Sequence, residues 1–165
     1  RKISISKMKT YTIQDLSTSS DRFKLFVLLC SPNSIFEYVD SLESRNINVV
    51  NIGEEVALFI ENLDNYDYLQ IETQEFLSNL LDNEKSAIQD AGNNVVAIYN
   101  LGILLEPYFE INAVQFFKDF SKSTSLVIIW EDGLEMPNKL YWPTQEQTYY
   151  FDFTDLDLKQ LQYAI

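Results

Sequence analysis

The sequence predicts a three-layer α/β/α domain with a mainly parallel sheet, on three observations. Near-continuous apolar runs at residues 23–30, 95–99 and 126–130 have the character of strands buried on both faces. Amphipathic stretches with helical spacing, about 10 to 15 residues long, separate the strands, which is the crossover length that parallel pairing requires. The chain of 165 residues is 46% hydrophobic, which supports one domain with a sizeable core and opposes disorder. The expected division is an N-terminal extension at 1–22 and a single α/β domain at 23–165.

The leader at 1–20 is polar, with Ser17, Thr18, Ser19 and Ser20 marking a loop, and it is either an ordered extension or a mobile arm. Phe23 opens the first strand, which runs to Cys30. Ser31, Pro32, Asn33 and Ser34 turn the chain into a helix. Ser34 and Glu37 have the spacing of a capping box, and Ile35, Phe36, Val39 and Leu42 form the inward stripe. Residues 47–52 read as the second strand, ended by Gly53. Glu54 and Glu55 place negative charge on the first turn of the next helix, whose inner face is Val56, Phe59, Ile60 and Leu63. A further helix turns Ile71, Phe76, Leu77, Leu80 and Leu81 inward and leads to a polar loop at 90–94.

In the second half, residues 95–99 are apolar and β-branched, as a central strand requires. Residues 101–106 lead away from its carboxyl end, and Pro107 breaks the path. A helix beginning near Asn112 buries Ala113, Val114, Phe116, Phe117 and Phe120. Residues 126–130 are the clearest strand in the sequence, with Glu131, Asp132 and Gly133 as its turn. Residues 149–153 are expected as an edge strand. Asp155 is expected to cap a last helix that points Leu156, Leu161 and Ile165 inward.

The first strand-turn-helix lies where an α/β protein holds a phosphate, yet it lacks the groups for doing so. A loop of the form Gly-x-x-x-x-Gly-Lys-Ser/Thr uses glycines to let backbone N–H groups wrap phosphates and a lysine to meet their charge. Ser31, Pro32, Asn33 and Ser34 supply neither glycine nor cation, and Pro32 removes a donor.

The order of parts resembles a known family. Residues 94–107 (NVVAIYNLGILLEP), the aromatic helix at 113–120 and residues 121–130 (SKSTSLVIIW) are similar to the Walker-B half of BrxF, the small P-loop protein of BREX bacteriophage-exclusion systems. Lys139, Leu140, Tyr141, Tyr149 and Tyr150 fall where that family has a strand-bound tail. The resemblance spans residues 23–153 and implies a P-loop NTPase-like fold in a bacterial anti-phage defence context. In that family an Asp-Asn-x-Glu stretch ends the third strand, its aspartate holding the magnesium shell and its acid polarising water. Tyr99, Asn100 and Gly102 stand at those positions here. Phosphoryl transfer rests on positioning and on cationic neutralisation of developing charge. The resemblance therefore implies a degenerate, non-catalytic relative, with no catalytic residue, metal or cofactor expected.

Composition narrows the partners. A net charge of −13 opposes docking to nucleic acid or anionic membrane, since both need clustered Lys and Arg, whereas a protein with a basic surface is complementary. No apolar run reaches the roughly 20 residues that span a bilayer, and the first residues carry no signal-peptide core. Arg1 opens the chain where an initiator Met is expected, so residues ahead of it are expected to be absent or removed. A single cysteine fits a reducing cytoplasm. Histidine is absent, which excludes His-based triads and imidazole metal sites. Without a histidine to activate it, Cys30 reads as a core thiol. Asp64 with Asp67 and Glu131 with Asp132 lack the spacing of a calcium loop and read as solvated acids.

Tyr141, Trp142, Tyr149 and Tyr150 gather large rings in a short segment. They either anchor a partner or cover the sheet edge beside Trp130. The expected function is a non-catalytic protein-binding subunit or adaptor, with self-association open. The alternatives are a nucleotide-binding regulatory module using residues 31–34, and an acidic inhibitor that mimics nucleic acid.

Overall fold

The computed structural model of the chain describes residues 9–135 and 137–164. Its elements are β1 (Thr10–Tyr11), α1 (Ile13–Thr18), β2 (Leu25–Leu29), α2 (Ile35–Ser44), β3 (Val49–Asn51), α3 (Ile52–Glu61), α4 (Leu69–Glu84), β4 (Ser86–Ala87), β5 (Asn94–Tyr99), α5 (Ala113–Phe120), β6 (Thr124–Trp130), β7 (Gly133–Glu135), β8 (Lys139–Pro143), β9 (Thr148–Asp152) and β10 (Lys159–Leu161). The main sheet runs β1-β10-β2-β6-β5-β3, with every neighbouring pair parallel. Short β4 adds antiparallel pairing to β5.

Alternation along the central strands divides the core in two. Leu25 and Val27 of β2 face a cluster that holds Val56 of α3, Leu77 and Leu81 of α4, and Phe117 of α5. Phe26 and Leu28 face the opposite cluster, with Leu16 of α1 and Ile35 and Leu42 of α2. Helices therefore cover both faces, and β6, in the middle, is buried along its whole length.

Several expectations are corrected. Phe36 is 68% exposed and Ile71 59% exposed, because α2 and α4 each bury a narrower stripe than the apolar residues in their sequences allow. The Ser34–Glu37 capping box does not form. Ser34 spends its hydroxyl on Ser31 instead, donating to the Ser31 carbonyl at 3.0 Å. Gly53 does not end the second strand. The strand stops at Asn51, whose side chain caps α3 by accepting from the Glu54 N–H at 3.0 Å, and Gly53 lies inside that helix. Residues 149–153 are not an edge of the main sheet. Thr148–Asp152 joins β7 and β8 in a separate antiparallel sheet, register Leu140↔Phe151 and Trp142↔Tyr149, with Leu140 and Phe151 packed into the core.

The expected last helix is a strand. Asp155 adopts a left-handed backbone with φ 69, and Leu156 and Leu158 alternate into the core before Lys159–Leu161 pairs with β1 on one side and β2 on the other. Two open strand edges outweigh the weak helical spacing of these leucines. Ile165 lies outside the described residues. The segment at 10–19 is tied down. Asn93 donates its side-chain amide to the Leu16 and Ser19 carbonyls at 3.2 and 2.9 Å, and Ser125 Oγ donates to the Leu16 carbonyl at 2.6 Å.

Candidate functional site

Adjacent strands β2 and β6 send their chains in opposite directions, β2 toward β3 at one end of the sheet and β6 toward β10 on the other side. In an open parallel sheet that divergence leaves a crevice at the carboxyl ends of the strands, where ligands are commonly bound. The groups that arrive there are Cys30 and residues 31–34 after β2, Glu131 and Asp132 after β6, Asn100 to Gly102 after β5, and Asn51 at the end of β3.

Residues 31–34 form a closed turn. Pro32–Ser34 is one turn of 3-10 helix, the Ser34 N–H donates to the Ser31 carbonyl at 3.0 Å, and the two serine hydroxyls lie 3.0 Å apart. The hydroxyls bond each other, and no residue of the turn has the positive φ that curls successive N–H groups around an anion. Cys30 beside it is half-buried, and its amide donates to the Trp130 carbonyl at 3.1 Å. Burial and then the Glu131 carboxylate push its thiol pKa up, which favours the protonated thiol at neutral pH. Burial likewise raises the Asp132 pKa.

At the carboxyl end of β5, Tyr99 and Asn100 form a side-chain lattice with Asn51. Asn100, in a left-handed conformation with φ 61, donates to Asn51 Oδ1 at 2.8 Å, and Asn51 reaches the Tyr99 hydroxyl at 3.3 Å. Gly102 lies under the Trp142 indole, where an added Cβ would come within 2.9 Å of the ring. This tryptophan roofs a cavity of about 130 Å³ between the ends of β5 and β6, lined also by Asn100, Glu131 and Asp132. Ligand pockets run from about 300 Å³ upward, so the cavity is too small for a nucleotide.

Basic side chains gather at one end of the sheet, two of them paired with acids there, Lys85 with Asp82 and Lys122 with Asp119. Helices run back against the strands, so Arg45, Lys85 and Lys118 at helix ends, with Arg22, Lys24 and Lys122 before strands, lie at the amino edge of the sheet. Three of them surround the Phe23 ring, Arg22 at 5.1 Å, Lys118 at 5.3 Å and Lys122 at 5.9 Å. The carboxyl edge instead carries Glu54, Glu55, Glu131 and Asp132. A triphosphate approaching it meets repulsion.

The four aromatic residues singled out in the sequence all fall on the small sheet but divide between its faces. Tyr141 and Tyr150 pair on the outer face at 6.2 Å, with Tyr150 46% exposed. Trp142 and Tyr149 pair on the inner face at 5.8 Å, past the end of the core. Trp130 is held by this sheet, donating its indole N–H to the Tyr141 carbonyl at 3.2 Å and meeting Phe151 edge-on. Beyond Trp142 and Tyr149 opens a groove of about 410 Å³ that also touches Gly102, Glu106, Pro107 and Glu146. The groove was not read from the sequence. Its signal was the pair of aromatic runs at 139–143 and 148–152 flanking a short polar segment, a hairpin pattern whose turn Thr144 closes by bonding Gln147.

Among the described residues no cluster of three or more Cys, Asp or Glu is arranged to hold a metal ion, and no helix is long and apolar enough to cross a membrane. No protein-family model, curated protein or solved structure matches the chain.

Proposed function

We infer that this chain is a non-catalytic protein-binding domain on a P-loop NTPase-like scaffold that has lost the groups gripping triphosphate. The BrxF-like pattern of residues 94–130 points to a subunit or adaptor of a bacterial anti-phage defence assembly. The observation that carries the inference is the closed turn at 31–34, set at the switch point between β2 and β6 in front of an acidic strand edge. A scaffold keeping this loop position without a phosphate cradle is suited to holding surfaces in place. The aromatic sheet beside the crevice supplies such a surface.

The test is calorimetry of the purified chain with magnesium and ATP or GTP, alongside a photo-cross-linking side chain placed at Tyr150. The expected outcome is no heat of nucleotide binding and a discrete cross-link to one protein. Micromolar nucleotide binding with hydrolysis would remove the inference. Binding without hydrolysis, abolished by replacing Asn33 or Ser34, would favour the nucleotide-module alternative.

A further inference from the structure

The groove beside Trp142 has a chemistry of its own. Two aromatic rings, Trp142 and Tyr149, form one wall, tilted 37° to each other, and Glu106 and Glu146 bring carboxylates from two separate segments. Among the described residues neither carboxylate takes part in an ion pair or a side-chain hydrogen bond, and no Lys or Arg lines the groove. Gly102 lets the indole lie against bare backbone, which fixes the ring without any polar partner.

An aromatic face beside unneutralised carboxylates attracts a cation, and it suits a planar one best. A guanidinium stacks flat on an indole while its edge donates to carboxylate oxygens in parallel. The net charge of −13 adds a long-range field of the same sense. At about 410 Å³ the space exceeds one guanidinium and admits the side chain with its neighbouring backbone.

We propose that this groove receives an arginine side chain presented by an exposed segment of a partner protein. The proposal rests on the protein-binding inference and names the chemistry of its partner. Glu106 and Glu146 supply charge, Trp142 and Tyr149 the stacking surface, and Gly102 the seat for the indole.

The experiment titrates the full chain with a short Gly-Ser-Arg-Ser-Gly amide, reading the two tryptophan indole N–H signals by NMR, with W142F giving the assignment. The arginine peptide is expected to move the Trp142 signal and leave Trp130 in place. The same peptide with uncharged citrulline, and the E106Q/E146Q protein with the arginine peptide, are each expected to bind about tenfold more weakly. Both glutamates are exposed, so their replacement leaves the fold intact. Three outcomes overturn the proposal: equal binding of the citrulline peptide, an unmoved Trp142 signal at about 10 mM peptide, or self-association of the chain that E106Q/E146Q abolishes, which would make the occupant a second copy. The nucleotide calorimetry tests the underlying inference separately, so the two can fail independently.

Discussion

Replacing Gly53 by alanine should lower stability, against the general rule that alanine improves a helix. In an unencumbered helix the change gains up to about 1 kcal/mol. Here the new Cβ would come 2.8 Å from Asn100 Cγ and 3.0 Å from the Asn100 carbonyl oxygen. Asn100 must then move, giving up its 2.8 Å bond to Asn51 Oδ1, the same oxygen that caps α3. The lost bond costs about 1 kcal/mol and the local overpacking about 1–3 kcal/mol, so against a helix gain of about 1 kcal/mol a net loss of about 1–3 kcal/mol is expected. That is a fall in Tm of about 2–12 °C for a domain of this size. The assay is urea unfolding of the wild type, G53A, N100G and the double variant. Asn100→Gly alone should be near neutral, because the lost bond is offset by relief at a left-handed position. In that background only the 3.0 Å approach to the residue-100 carbonyl remains, so Gly53→Ala should cost at least about 1 kcal/mol less than in the wild type. A G53A protein as stable as the wild type, or an equal cost in both backgrounds, would refute the reasoning.

Phe117→Ala should cost about 3–5 kcal/mol, since the ring is wholly buried, while Phe36→Ala should stay within about 0.5 kcal/mol; denaturant midpoints separate them. Lys159→Met should cost about 1–3 kcal/mol, because Lys159, 8% exposed, donates to the Phe23 carbonyl at 2.9 Å and pairs with Asp21 at 3.2 Å, and faster hydrogen exchange should appear across β10. Thr124→Val should be neutral or stabilising by about 1 kcal/mol in thermal unfolding, since the buried hydroxyl has no partner among the described residues. Cys30 and Asp132 hold their protons more tightly folded than unfolded, Cys30 through burial and then Glu131, Asp132 through burial. Their contributions are complete below the ordinary pKa of each group and are lost as pH rises through the raised value, so stability measured across alkaline pH should fall less steeply in C30A than in the wild type, and across the carboxylate range less steeply in D132N.

The central strands were legible because burial on both faces leaves a continuous apolar run that few other structures produce. The order of helices followed from the same alternation. What escaped was decided by pairing between distant segments. Lys159–Leu161 carries no strand signal of its own, being polar at two of its three positions, and becomes a strand because it fills the space between β1 and β2. Phe36 and Ile71 look like core residues by spacing, and only the width of each contact stripe shows that they are not. At the candidate site the lack of a glycine and of a cation at residues 31–34 was plain from residue types alone. The Asn51–Asn100 bond and the seat of Trp142 on Gly102 join residues about 40 or more positions apart, which no local pattern encodes.

The insertion of β10 between β1 and β2 sets a timetable for synthesis on the ribosome. Until residues 159–161 have been made, β1 lacks its strand partner and β2 presents an unpaired edge carrying Phe26 and Leu28. The half of the sheet built from β2, β6, β5 and β3 can assemble earlier, whereas docking of β1 waits on translation of residues 159–161. During that interval the emerging protein displays the kind of open strand that invites mispairing between chains on neighbouring ribosomes.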